Sequence, residues 1–207
     1  RRGLDSTARE LLRMGEKIEG MLNAIGPLYV KWDSTAAKAI KEQDQAIKSI
    51  HFEVKLYLAQ IGRPGLDADL GKRSMELAAI SAALEAASDT IARSLLQLAK
   101  RLDTEGVAFS EVGRQEINDF MDRVQSNVHL ALNVMMNQNP AEARELVEAK
   151  EKVRAVEQKL QRNHLGRLRD GLTESIETSS IHQNPTLSQA SQHILFYGRL
   201  PDPGEIR

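Results

Sequence analysis

Residues 10–25, ELLRMGEKIEGMLNAI, carry apolar side chains at Leu11, Met14, Ile18, Leu22 and Ile25. Steps of three and four put these side chains on one face of a helix. The stretch 106 residues further on, 116–131 (EINDFMDRVQSNVHLA), repeats the stripe: Ile117 for Leu11, Phe120 for Met14, Val124 for Ile18 and Val128 for Leu22. The same offset works in the next periodic segment. Residues 40–54 (IKEQDQAIKSIHFEV) fall on 146–160 (LVEAKEKVRAVEQKL), pairing Ile40 with Leu146, Ile47 with Val153, Ile50 with Val156 and Val54 with Leu160. One helix could match in this way by accident; two successive helices at one offset point to a duplication. Repeated helical units that bury a shared seam predict an all-α fold of two tandem three-helix bundles, six helices in all, over residues 1–105 and 106–207.

Turn chemistry divides the pattern. Helix one is expected over 7–31 behind Ser6 as N-cap, with a kink at Gly26-Pro27, because proline removes a donor and crowds the preceding turn. Helix two starts near Asp33-Ser34 and ends at Gly62-Arg63-Pro64-Gly65. Helix three, over 67–103, carries a seam of Leu77, Leu84, Ile91, Leu95, Leu98 and Leu102. Ser110 caps helix four, and Asn139-Pro140 opens helix five, with Asn as cap and Pro in the first turn. Helix six follows Gly171, is clear as far as His182, and is interrupted at Asn184-Pro185.

Composition narrows the function classes. In 207 residues, 28 Lys+Arg stand against 29 Asp+Glu, a formal charge of −1, which argues against a protein that tracks nucleic-acid phosphates. The absence of cysteine excludes disulfides, thiolate metal sites and cysteine nucleophiles. No apolar run approaches the about 18–20 residues of a membrane span. The chain opens on Arg1-Arg2-Gly3 without an initiating Met, from which we expect a piece of something longer. Basic residues beside a last membrane span would suit a cytoplasmic face.

Three acids stand out. Asp44 lies in the apolar stripe of helix two between Ile40 and Ile47, where an unpaired carboxylate is costly. Lys48 at i+4 and Lys41 at i−3 are its ordinary partners. Glu85 and Asp89 share a face of helix three among small residues, Ala82, Ala83, Ala86, Ala87 and Ser88, that let another helix approach. Asp89 has Arg93 at i+4; Glu85 has no cation within a turn. The alternative to ion pairing is a hard cation shared by carboxylates of two helices, and oxygen ligands suit Mg, Mn or Fe. The histidines fit neither a Glu-x-x-His nor a His-Glu-x-x-His metal pattern, and His51 reads as a structural residue on a helical face. There is no phosphate loop and no nucleophile elbow, so nothing in the sequence argues for an enzyme.

Five segments, residues 10–16 (ELLRMGE), 54–59 (VKLYLA), 105–111 (EGVAFSE), 164–169 (HLGRLR) and 174–182 (ESIETSSIH), together resemble the PhoU family. The resemblance is nearest to the PhoU-like cytoplasmic domain of bacterial sodium/phosphate cotransporter-type membrane proteins. It implies tandem three-helix bundles and a non-enzymatic regulatory domain of a sodium-dependent phosphate transporter on the cytoplasmic face of the cell membrane. Its expected partners are the transmembrane portion of the same protein, a phosphate-signalling protein or a second copy in a homodimer, and no nucleic acid. The alternative it implies is a PhoU-like adaptor that regulates phosphate signalling through protein partners. Several family members hold metal through Glu/Asp-x-x-x-Asp motifs on the third helix of each bundle, matched here by Glu85 and Asp89, and Asp44 matches the family's helix-two acid, which implies Asp44, Glu85 and Asp89 as metal ligands in the first bundle. Ala83 stands where another acid is usual. The second motif is missing, since residues 183–197 contain no acid and Asp44 becomes Lys150 under the repeat, so any ion site is expected in the first bundle alone.

Overall fold

A computed structural model describes residues 2–61, 68–106, 108–137 and 139–169, and every regular element among them is helical. Helix α1 spans Arg2–Leu28, α2 Ser34–Ile61 and α3 Ala68–Asp89. A π-helical segment, Thr90–Leu95, carries α3 directly into α4, Leu96–Glu105; α5 spans Glu111–Asn137 and α6 Pro140–Arg169. The predicted sixth helix, the acid-free stretch 183–197 and the Lys150 side chain lie outside the described residues.

The caps sit where the side chains can supply them. Asp33 Oδ1 accepts from the Thr35 and Ala36 N–H groups at 2.8 and 3.3 Å, Ser110 Oγ from the Gly113 N–H at 3.1 Å, and Asn139 Oδ1 from the Ala141 N–H at 2.9 Å. Each satisfies a donor that the first turn leaves open. At the other end of α4, Gly106 closes the helix with φ 65°, a left-handed conformation that costs a side-chain-bearing residue more. Two expectations change at α1. It begins at Arg2, so Ser6 lies inside the helix and caps nothing. Pro27 falls in its last turn, where it ends the helix without a bend midway; the Val30 and Lys31 N–H groups close back onto the Pro27 carbonyl at 3.1 Å.

Helix α1 is the centre of the molecule, packing against α2 and α3 on one side and α5 on another. Leu11, Met14, Ile18, Met21 and Ile25 are all essentially inaccessible, and one continuous core runs from them to Phe120, Val124 and Val128 of α5 and Val153 of α6. The repeat therefore marks core positions: Leu11, Met14, Ile18, Leu22, Phe120, Val124 and Val128 are buried, and Ile117 packs against the same cluster. Gly15 sets the approach of α5. A Cβ there would overlap the Leu132 side chain, so the backbone of α1 and the leucine occupy the space together. Tyr29 ties the end of α1 to the rest: its hydroxyl donates to the Leu95 carbonyl at 3.3 Å, and its ring meets Phe109 edge-on at 6.1 Å. Trp32 beyond it packs on the core with the Lys100 ammonium 4.8 Å from its ring centre.

Candidate functional site

Asp44 points into the contact between α2 and α3 and is 4% exposed. Both of its oxygens are engaged. The hydroxyl of Ser88, a fully buried residue, donates to Oδ1 at 2.8 Å, and the Lys48 ammonium, one turn along α2, reaches Oδ2 at 2.7 Å. The same ammonium meets Asp89 Oδ1 of α3 at 2.8 Å, and Arg93 Nε meets that oxygen at 3.0 Å. Lys48 thus bridges two carboxylates from two helices. Two acids and two bases make the cluster neutral. Burial by itself lowers the pKa of Lys48, but its hydrogen bonds to Asp44 and Asp89 and their charges outweigh that and hold it above the usual lysine range.

Of the acids expected to share an ion, the fold brings together Asp44 and Asp89, and the group between them is an ammonium. Glu85, one turn before Asp89, is partly exposed and makes no hydrogen bond or ion pair among the described residues. No three acids or histidines gather into a metal-holding group among the described residues. In this arrangement each Asp44 oxygen accepts one hydrogen bond and Asp89 faces two cations, so the Lys48 ammonium stands between the two carboxylates that the sequence suggested would share an ion.

Two features of this region were not singled out from the sequence. Ser74, Ser81 and Ser88 recur every seven residues and are all buried on the face of α3 toward α1 and α2. Ser88 feeds Asp44, and Ser81 shares a 2.8 Å hydrogen bond with His51 Nδ1, which makes His51 the structural residue expected. The seven-residue spacing was there to be read. The π turn that begins directly after Asp89 was not, because it changes the hydrogen-bond step from i+4 to i+5 without a distinctive residue. Arg93 within it still pairs with Asp89 at i+4, and the Leu95 carbonyl at its end accepts from Tyr29.

Beyond His51 the two helices diverge around an open groove of about 570 Å³. Val54 and Leu58 form apolar floor, while Gly71, Ala78 and Ala82 of α3 supply a wall of small residues. Met75 stands on its rim at 75% exposure; Phe52 and Leu56 of α2, at 60% and 49%, follow the lining residues His51 and Lys55 in the chain. No helix among the described residues is long and apolar enough to cross a membrane.

No protein-family model matches the sequence. YjbB of Salmonella typhimurium, named for a proposed export of inorganic phosphate, is 31% identical over 179 residues. The Escherichia coli K12 protein of the same name is 29% identical over the same length. These matches cover 86% of this chain but 33% of either relative, so the chain spans about a third of the curated proteins it matches. Among solved structures, PhoU from Pseudomonas aeruginosa superposes with a TM-score of 0.80 at 18% identity, over 94% of this chain and 93% of that one. The phosphate transport system regulatory protein PhoU from Streptococcus pneumoniae gives 0.78 at 15% identity, over 95% and 91%. With its helices in that arrangement, the chain has the all-α PhoU-like fold that its sequence resembled.

Proposed function

We propose that the chain is a non-enzymatic, PhoU-like regulatory module that acts on phosphate transport through helix-face contacts with a protein partner. The observation that carries this reading is the joint match: a fold shared with a phosphate transport system regulatory protein, and 86% of the chain aligned with proteins named for phosphate export. The geometry suits it. The charged cluster of α2 and α3 is internally neutralised, while apolar side chains stand exposed beside it, as a surface that binds protein requires. Deleting the coding region from its host and following phosphate uptake, phosphate efflux and phosphate-responsive transcription at low and high external phosphate tests the reading. Loss of the phosphate-dependent adjustment, restored by the intact gene, is the expected result; unchanged uptake, efflux and transcription would overturn it.

A second reading has its own observation. The relatives are about three times as long as the region matched. On this reading the chain is the cytoplasmic regulatory part of a sodium-dependent phosphate transporter and works on membrane-embedded segments of the same protein. Fractionation of the native gene product distinguishes the two: recovery with the membrane after alkaline washing favours the transporter domain, and release into the supernatant favours the adaptor.

A further inference from the structure

Asp44 and Asp89 share one cation, and that cation is covalently part of the chain. The contacts Asp44–Ser88 and His51–Ser81 set α2 and α3 antiparallel, a step along one matched by a step back along the other. Asp89 of α3 therefore stands one residue from the level of Asp44. Lys48 reaches back one turn along α2 and places its ammonium 2.7 Å from Asp44 Oδ2 and 2.8 Å from Asp89 Oδ1. Those oxygens are no farther apart than the two contacts laid end to end, about 5.5 Å. A divalent ion bridging two carboxylates asks for about 4–5 Å, with metal–oxygen bonds of about 2.0–2.6 Å each. Distance alone therefore barely separates an ammonium from an ion at this place; charge does. Lys48 and Arg93 already neutralise the two acids, so a divalent ion added to them would leave two positive charges in excess. It would also have to displace the ammonium from Asp44, whose side chain is 6% exposed.

We propose that Lys48 is a tethered counter-ion: its ammonium holds the place that a divalent cation would take between α2 and α3, so the first bundle closes without a free ion and comes to depend on one only when the ammonium is removed. The tether favours the ammonium over an ion from solution, because a group one turn away on the same helix meets the carboxylate without losing the translational freedom of a separate particle. The residue type matters as well. An ammonium has three donors around one compact charge, enough for two carboxylates that approach from two helices. The planar fork of a guanidinium suits one carboxylate at a time, and Arg93, 75% exposed, holds Asp89 alone. Without Lys48 the charges reverse in sign: two acids face one arginine, and the partly exposed Glu85, one turn before Asp89, adds a third carboxylate on the same helix. Oxygen ligands from two helices with a net negative charge are the setting in which a hard divalent ion binds.

The proposal stands apart from the regulatory reading above, since it is read in stability and ion binding. Thermal melts of the full chain in a chelator and in about 1 mM Mn²⁺ test it. The parent should melt at the same temperature in both. Lys48→Met should melt about 5 °C lower in chelator and regain most of that loss in Mn²⁺. Its affinity for Mn²⁺, read by electron paramagnetic resonance of the free ion, should exceed the parent's by about tenfold or more. Asp44→Asn added to Lys48→Met should abolish the recovery. A parent stabilised by Mn²⁺ as much as the variant, a Lys48→Met chain whose melt ignores the ion, or a recovery that survives Asp44→Asn would overturn the proposal. If Lys48→Met does not fold in chelator, folding on addition of Mn²⁺ is the expected result, and failure in both solutions counts against it. The unsubstituted chain gives an independent reading. Nitrogen-15 spectra of its lysine ammonium groups should contain a slowly exchanging signal that persists when Mg²⁺ replaces the chelator. Loss of that signal in Mg²⁺ would show the ion displacing the ammonium, the reverse of what is proposed.

Discussion

Lys48 acts as the counter-ion of a buried carboxylate, and its removal should be felt in two ways. Lys48→Met leaves Asp44 with the Ser88 hydrogen bond but no opposite charge. Stripping one partner from a fully buried pair costs about 3–5 kcal/mol; with Lys48 about a quarter exposed, a loss of about 2 kcal/mol is expected in urea unfolding. The same variant leaves Arg93, on Asp89, as the one cation paired with Asp44, Glu85 or Asp89 among the described residues, and Mn²⁺ should bind it more tightly than the parent, read by electron paramagnetic resonance of the free ion. Alkali tests the charge directly. Because the folded-state pKa of Lys48 lies above its unfolded value, its contribution is complete below about pH 10.4 and disappears as pH rises through the folded value. Tyr29 behaves alike, since burial pushes its phenol up, so folding again holds the proton more firmly. The parent should therefore lose stability above about pH 10, and a Lys48→Met, Tyr29→Phe variant should show a flatter profile over that range.

At the level of elements, the helices are bounded by single residues whose loss is predictable. Gly106→Ala forces a Cβ into a left-handed conformation and should cost about 1 kcal/mol, although the position has open space around it. Ser110→Ala removes the cap of α5 and should cost about 1 kcal/mol. The two act at opposite ends of the short connection between α4 and α5, so thermal melts of the single and double variants should show nearly additive losses. The caps at Asp33, Ser110 and Asn139 were legible because each is a local relation between a side chain and the next two or three amides. Ser6 misled for the same reason: a serine before an apolar stripe is a cap only if the helix begins there, and apolar contacts at Leu4 extend α1 past it.

For the molecule as a whole, the union of α1 with α5 passes through Gly15. Gly15→Val would push into Leu132 and separate the two helices over the contacts Asn23–Gln125 and Glu19–His129. Overpacking of this kind costs about 1–3 kcal/mol. Amide exchange should show α5 losing protection while α2 and α3 keep theirs; equal loss in all helices would mean that α1 itself had been damaged.

What the sequence determined by itself is the part of the structure that depends on spacing along the chain. The period of Leu11, Met14, Ile18 and Leu22, and its copy at Ile117, Phe120, Val124 and Val128, specifies helices, their buried faces and their repetition. The pairs Asp44–Lys48 and Asp89–Arg93 were legible too, because i and i+4 meet on any helix. Only the tertiary structure decided that Lys48 also reaches Asp89, that Ser88 supplies the second hydrogen bond to Asp44, that α1 and α5 meet at Gly15, and that α2 and α3 part to leave a groove beside Met75. Those relations depend on which ridges of one helix enter the grooves of the next and how closely the axes approach. That choice is made by the packing of the whole core at once, and the separation of two residues in the chain carries no measure of it.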